Sequence, residues 1–125
     1  MSLQKNFMGK REQFKKERER YNIIVSKYAN VEMKKFFHLD AQAYENGKLT
    51  SKTKEMLGLV ASLVLRCDDC ILYHLDRCLS LGVTTEELAE VLNVGLIVGG
   101  SITIPHIRRA MDIWDAELSK PKPSE

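Results

Sequence analysis

The apolar residues of this chain recur at helical spacing from one end nearly to the other, and no other feature restricts its fold as much. In the first segment, about residues 7–28, apolar side chains follow one another at steps of seven and four residues, which traces one narrow face of a helix. The stretch with the most β character is Ile102-Thr103-Ile104, and three residues do not make a sheet. The sequence therefore predicts an all-α fold.

Helix start and stop signals divide the chain into about six helices. Thr84, followed three residues later by Glu87, is the pattern of a capping box, and Pro105 suits the first turn of the last helix. Asn30 is the expected N-cap of the second helix, which the sequence ends near Gly47. The predicted helices cover about residues 7–28, 31–45, 51–65, 68–81, 85–99 and 104–118.

The length of 125 residues allows one domain, and we expect a single domain over residues 1–125. Within it the sequence predicts a charged N-terminal helix over residues 1–30 and a flexible tail over residues 119–125. Residues 56–65 are apolar on almost every side of the predicted third helix, so we interpret this helix as the buried centre of the fold.

Charge and hydropathy argue against membrane and nucleic-acid partners. The longest apolar runs, Met56–Leu65 and Val94–Ile104, are shorter than the roughly 18–20 residues of a membrane-spanning helix. The N-terminus has no signal-peptide pattern, so we expect a cytoplasmic protein. Residues 1–36 hold ten basic and four acidic residues, but aromatic residues are not interleaved for base stacking. We therefore expect a solvated helix face with mixed-sign pairs, or docking on an acidic neighbouring subunit.

Two of the three cysteines form a CxxC pair, Cys67 and Cys70, and His74 follows one turn later. At 100° per residue the two thiols point within about 60° of each other, and the imidazole lies between them. A helix start favours a thiolate, and a histidine in reach can take or give its proton. This strip therefore holds an attacking sulfur, a resolving sulfur and a proton shuttle, which are the parts of a redox dithiol.

Two other interpretations of the strip stay open. A three-ligand metal site could be formed by Cys67, Cys70 and His74. Cys78 lies about 16 Å along the helix axis from Cys67, so one metal ion cannot bind both. The cysteines can also be buried small side chains in a non-catalytic helical subunit. Asp68 and Asp69, between the two cysteines, argue against deep burial, although their charges also raise the pKa of neighbouring thiols.

A set of segments over about residues 31–118 carries a family resemblance. Glu55 stands twelve residues before Cys67, in a Glu-x11-Cys-x2-Cys-x3-His arrangement with an apolar helix between them. The Leu-Gly-Val-Thr-Thr-Glu-Glu helix start at 81–87 and the Val-Gly-Gly-Ser-Ile-Thr-Ile-Pro-His segment at 98–106 follow the motif. Together these segments resemble the alkylhydroperoxidase D-like branch of the carboxymuconolactone decarboxylase family.

The resemblance implies an all-helical subunit that assembles into trimers or hexamers. It also implies an antioxidant, peroxiredoxin-like activity that reduces hydroperoxides or protein disulfides with electrons from a dithiol donor, without cofactor or metal. In the family's proposed mechanism the second cysteine attacks, which implies Cys70 as nucleophile and Cys67 as the resolving thiol. Glu55 and His74 match the acidic residue and the histidine that relay the proton.

The chain departs from the family pattern in one place. Some peroxidase-competent members carry a second histidine between the cysteines, where this chain has Asp68-Asp69. The resemblance therefore implies dithiol chemistry more strongly than hydroperoxidase activity. The decarboxylase branch lacks the CxxC pair, so lactone decarboxylation is not expected. The helix start by itself favours Cys67 as the more acidic thiol, whereas the family mechanism assigns the attack to Cys70.

The remaining features have ordinary interpretations. The spare apolar surface of the third helix and of residues 94–100 predicts a homo-oligomer. Without the family spacing, Glu55 would only complement a helix dipole. His38 and His106 are interpreted as surface or capping residues, and Arg109 with its neighbour as a source of an intersubunit salt bridge.

Overall fold

The computed structural model describes residues 9–121, and the regular structure in this range is helical. The helices are α1 (Lys10–Tyr28), α2 (Val31–Ala43), α3 (Ser51–Leu65), α4 (Asp68–Ser80), α5 (Thr85–Gly99) and α6 (Ile104–Leu118), with a short 3-10 turn at Ser101–Thr103. The all-α prediction with six helices is confirmed. The predicted start of the first helix at residue 7 and the tail past residue 121 lie outside the described residues. Between residues 9 and 121, no helix combines the length and apolar content that crossing a bilayer requires.

The predicted caps form as the sequence indicates. The Thr84 hydroxyl accepts from the backbone N–H of Glu87 at 3.1 Å, and the Glu87 carboxylate accepts from the Thr84 N–H at 2.8 Å. Asn30 caps α2 by accepting from the N–H of Met33 at 3.0 Å. These contacts lie within one turn, so the sequence defines them almost completely.

The core lies where α3 packs between α4 and α5, with α6 closing over α4. Burial of its aliphatic side chains and one tryptophan supplies the main driving force for this packing. The buried hydrophobic residues are Leu59, Leu63, Ile71, Leu75, Cys78, Val83, Leu88, Leu92, Ala110, Ile113 and Trp114.

The expectation that α3 is the buried centre of the fold is met on one side only in the isolated chain. Its inner face is buried, but Leu57 and Leu65 are 55% and 76% exposed. The reason is that α4 and α5 cover one side of α3, and no element of the described chain buries the other. Helix α2 has no buried residue at all, although Phe36 and Phe37 lie on it. The apolar pattern thus marks surface as well as core.

Helix α1 is attached at its N-terminal end by ion pairs to α4 and α6. Nε of Arg11 lies 2.6 Å from a carboxylate oxygen of Asp76, and its Nη1 lies 3.2 Å from Glu117. Lys10 pairs with Asp112 in the same region. Part of the acidic surface that meets this basic helix therefore belongs to its own chain.

The turn between α3 and α4 brings the cysteine pair to a helix start. Arg66 adopts a left-handed conformation with φ 58° and ends α3, and its N–H donates to the carbonyl of Leu63 at 3.0 Å. The next N–H, that of Cys67, donates to the carbonyl of Ser62 at 3.1 Å. This tight reversal makes Cys67 the N-cap of α4, and the predicted break at Arg66 and Cys67 is confirmed.

Candidate active site

Cys67 and Cys70 lie together at the first turn of α4. Their Sγ atoms are at disulfide-bonding distance and their Cα atoms are 5.3 Å apart, inside the range that disulfides take. The backbone N–H of Cys70 also points at the sulfur of Cys67, with a nitrogen-to-sulfur distance of 3.3 Å. The start of α4 can therefore hold both the disulfide and a negative charge on Cys67.

The two sulfurs differ in their access to solvent. Cys70 is exposed and lines a groove of about 650 Å³ between α1 and α4, whereas Cys67 is half-buried. Tyr73 and His74 line the same groove from α4, and Asp69 lies at its edge. A small molecule that enters this groove reaches Cys70 before Cys67.

Glu55 and His74 form a buried pair beside the groove. The Glu55 carboxylate on α3 lies 3.0 Å from Nδ1 of His74 on α4, and the two residues are 2% and 8% exposed. The rings of Tyr44 and Tyr73 flank the imidazole, with centroid distances of 5.3 and 5.2 Å. Burial, with a smaller contribution from the Glu55 charge, raises the pKa of Tyr73, so its phenol stays protonated at neutral pH.

The four site residues predicted from the sequence thus form two pairs, one at the first turn of α4 and one where α4 packs against α3. Cys67 and Cys70 form one pair, and His74 and Glu55 form the other. Among the described residues, no hydrogen bond joins His74 to either sulfur. The imidazole is therefore held in place by Glu55 and opens toward the groove that Cys70 lines.

Gly58 is a residue of the site that the sequence analysis missed. A Cβ atom at this position would stand 2.7 Å from Cε1 of His74, so the imidazole packs directly on the α3 backbone one turn after Glu55. A glycine inside a helix costs about 1 kcal/mol relative to alanine. An isolated glycine in the middle of a predicted core helix is the signal that could have revealed this close packing.

Replacing Gly58 with alanine is expected to displace the His74 ring and to lower the free energy of unfolding. The ring is buried and held by Glu55, so it has little room to move away from a new Cβ atom. Overpacking costs about 1–3 kcal/mol, which generally exceeds the roughly 1 kcal/mol that alanine gains over glycine in a helix. Denaturant unfolding measures the change in stability, and the NMR signals of the imidazole report its displacement.

Gly47→Ala is the matched control for this variant. A Cβ atom at position 47 would meet only Nζ of Lys54 at 3.7 Å, which is an ordinary contact with a flexible side chain. We expect its stability to stay within about 0.5 kcal/mol of the unmodified protein. A Gly58→Ala protein with unchanged stability and unchanged His74 signals would contradict the role given to Gly58.

The alternative interpretations of the cysteine strip receive little support from the geometry. Within residues 9–121, no group of three His, Cys, Asp or Glu side chains is arranged to hold a metal ion. His74 turns its Nδ1 toward Glu55 instead. Cys78 is fully buried, and burial raises the pKa of its thiol to about 12, so it stays protonated and unreactive.

Asp68 is bound by two residues of α6, a contact that the interpretations made from the sequence did not include. His106, interpreted as an ordinary surface or capping residue, has its Nδ1 2.7 Å from the Asp68 carboxylate. Arg109, interpreted as a source of an intersubunit salt bridge, lies 3.0 Å from the same carboxylate. Although burial raises the pKa of Asp68, hydrogen bonds from both residues hold it below its ordinary value. Helix packing brings these residues together across about forty positions, so no local pattern could have paired them.

Comparison with known proteins identifies a family and several solved relatives. Residues 32–112 match the model of the carboxymuconolactone decarboxylase family. A crystal structure of the Thermotoga maritima protein TM1620 is 50% identical, with a TM-score of 0.82 over 84% of this chain and 92% of that chain. A second structure of TM1620 is 51% identical, with a TM-score of 0.79 over 83% of this chain and 88% of that chain. It is described as a carboxymuconolactone decarboxylase family protein with a suggested part in the antioxidative response.

Two more distant relatives also match the chain. The apo form of a carboxymuconolactone decarboxylase family protein from Legionella pneumophila is 27% identical, with a TM-score of 0.79 over 89% of this chain and 98% of that chain. An uncharacterized protein of Cupriavidus necator is 32% identical over 74 residues, which are 59% of this chain. The match spans 66% of that relative, slightly less than two thirds of its length.

Proposed function

The chain belongs to the carboxymuconolactone decarboxylase family, and from that membership we propose that it is a thiol-dependent antioxidant oxidoreductase. The observation that carries the proposal is the Cys67–Cys70 pair at disulfide-bonding distance, with Cys70 facing the groove that His74 also lines. The antioxidative part suggested for TM1620, a relative with half of its aligned residues identical, supports the same chemistry.

In the proposed reaction, the thiolate of Cys70 attacks the distal oxygen of a hydroperoxide. The O–O bond breaks, the alcohol leaves with a proton, and Cys70 becomes a sulfenic acid. The thiol of Cys67 then attacks the Cys70 sulfur, so that the S–S bond forms and water leaves. Two thiols and one hydroperoxide give one disulfide, one alcohol and one water. An external dithiol donor returns the two electrons by thiol–disulfide exchange.

The Glu55–His74 pair supplies proton transfer in this reaction. His74 lines the groove beside Cys70 and takes the thiol proton directly or through a water molecule. The Glu55 carboxylate fixes the orientation of the imidazole and stabilises the cation that forms on it. A protein disulfide can replace the peroxide as the oxidant, because Cys70 is the exposed sulfur in either case.

Treatment of the reduced protein with an equimolar amount of hydrogen peroxide is expected to remove two of its three thiols. Cys78 should remain reduced, because its buried thiol is protonated. A thiol reagent added after denaturation counts the remaining thiols, and mass spectrometry identifies the linked Cys67–Cys70 peptide. In the Cys78→Ser control, the count should fall from two to none. A count that stays at three would overturn the proposed function and favour a non-catalytic helical subunit.

We also propose that the chain assembles into a trimer or hexamer. Large apolar side chains lie on surfaces that no described element covers: Phe36 on α2 is 66% exposed, and Ile97 on α5 is 84% exposed. A second copy of the chain would cover exposed apolar side chains of this size and number. Light scattering after size exclusion should give three or six times the 14.3 kDa mass of one chain. Ile97→Glu should lower that mass, and a 14.3 kDa species from the unmodified protein would contradict the assembly.

A further inference from the structure

Two aspartates separate the cysteines, and the structure treats them differently. Asp69 is exposed at the edge of the groove, and no hydrogen bond or ion pair joins it to another described residue. Asp68, directly after Cys67, accepts from His106 at 2.7 Å and lies 3.0 Å from Nη2 of Arg109. Water therefore screens the charge of one aspartate, whereas two side chains from α6 compensate the charge of the other.

The contacts make Asp68, His106 and Arg109 one cluster. Nη2 of Arg109 also lies 3.1 Å from Nδ1 of His106, so each member of the cluster contacts the other two. The His106 side chain is 16% exposed, and those of Asp68 and Arg109 are about half exposed. The cluster therefore lies at the surface where α4 and α6 meet. Its member Asp68 directly follows Cys67 in the sequence.

A carboxylate on the residue next to a dithiol cysteine opposes formation of the thiolate, because it repels the negative charge that ionisation creates. The start of α4 has the opposite effect, since its N–H groups favour negative charge at Cys67. A cation bound to Asp68 cancels this repulsion, so that the favourable effect of the helix start on the Cys67 thiolate remains. The balance between aspartate and helix start, which the sequence leaves open, is thus decided by residues of another helix.

We propose that Arg109, held beside Asp68 together with His106, compensates the Asp68 charge and thereby raises the thiolate fraction of the Cys67–Cys70 pair. Both are positioning residues, since neither is placed in contact with the reacting sulfur atoms. The proposal rests on the proposed function of the cysteine pair. It adds that residues of α6 help to set the reactivity of that pair.

The test is the rate at which iodoacetamide alkylates the reduced protein at pH 7, because alkylation follows the thiolate fraction. Mass spectrometry follows Cys67 and Cys70 separately. We expect Arg109→Met to slow alkylation of the reactive cysteine about three- to tenfold, the effect of an uncompensated and partly exposed charge on the residue next to Cys67. Arg109→Lys keeps the charge and should stay within about twofold of the unmodified protein.

Arg108→Met is the matched control for net charge. Arg108 is exposed on the same helix, and in the described part of the chain no hydrogen bond or ion pair joins it to Asp68. Its loss should change the alkylation rate less than about twofold. Asp68→Asn should change the alkylation rate less than about threefold, because the charge it removes is already compensated by Arg109. In that background Arg109→Met should have little further effect, because no carboxylate is left for it to expose.

Equal rates for Arg109→Met and the unmodified protein would overturn the inference, and so would an equal slowing by Arg108→Met. If Arg109→Met fails to fold by circular dichroism, Arg109→Gln takes its place, and an unchanged alkylation rate in that variant overturns the inference in the same way. Alkylation needs no peroxide. A protein whose thiols respond as expected here but form no disulfide with peroxide would therefore contradict the proposed function and not the charge compensation.

Discussion

Replacing Cys70 with serine is expected to abolish turnover of hydroperoxide, with a loss of about two orders of magnitude or more. Cys70 is the exposed sulfur in the groove, and a serine hydroxyl cannot take its place as the attacking group at neutral pH. The measurement is peroxide consumption in the presence of a dithiol donor. Cys78→Ser should keep the unmodified rate, since Cys78 is buried in the core away from the groove.

Replacing Cys67 with serine separates attack from resolution. This variant should consume one equivalent of peroxide and then stop, because its Cys70 sulfenic acid has no partner thiol. A reagent that traps sulfenic acids should label Cys70 in this variant, and the Cys70→Ser protein should remain unlabelled. The opposite pattern, with labelling of Cys67 in the Cys70→Ser protein, would assign the attack to Cys67, as its position at the helix start alone favours.

Glu55→Gln is expected to slow oxidation of the cysteine pair by about a hundredfold, the lower end of what general acid–base catalysis contributes. The amide of glutamine is close in size and can still hydrogen-bond His74, but it carries no charge to stabilise the protonated imidazole. The measurement is the single-turnover rate of thiol loss after mixing with hydrogen peroxide. Glu55→Ala should in addition lose stability by about 1–3 kcal/mol, since it leaves the buried imidazole without its partner.

Glu87→Gln is the control for a carboxylate with a purely structural task. Glu87 completes the capping box of α5 and also pairs with Lys52. Among the described residues, no hydrogen bond joins its side chain to Cys67, Cys70 or His74. Its replacement should leave the oxidation rate unchanged and cost up to about 1 kcal/mol of stability. An oxidation rate in Glu55→Gln within about threefold of the unmodified protein would refute the proton relay, while leaving the dithiol chemistry intact.

The sequence predicted the helices well because their boundaries depend on contacts within one turn. Thr84 and Asn30 cap the helices they were expected to cap, and the left-handed Arg66 stands at the predicted break. The ends are less well defined: α2 stops at Ala43 and not at residue 45. Family membership was also within reach of the sequence, since the Glu, Cys and His spacing carries it, and the match over residues 32–112 confirms the resemblance.

The sequence was weaker wherever a residue has its partner on another helix. From its position alone, Glu55 would only complement a helix dipole, whereas in the fold it faces His74, nineteen residues away. The need for glycine at position 58 follows only from the tertiary structure, in which the His74 imidazole packs against it. The exposed side of α3 was predicted as core, because an apolar pattern records which side chains avoid water and not whether this chain or another covers them.

By itself, the sequence determined the all-α class, the helix limits and the adjacency of Cys67 and Cys70, because each follows from groups three or four residues apart. Only the tertiary structure decided that α3 supplies a carboxylate to His74 and that α6 supplies His106 and Arg109 to Asp68. These contacts join residues 19, 38 and 41 positions apart. The physical reason is that helix packing sets such distances, and packing depends on the burial of the whole core rather than on any local pattern.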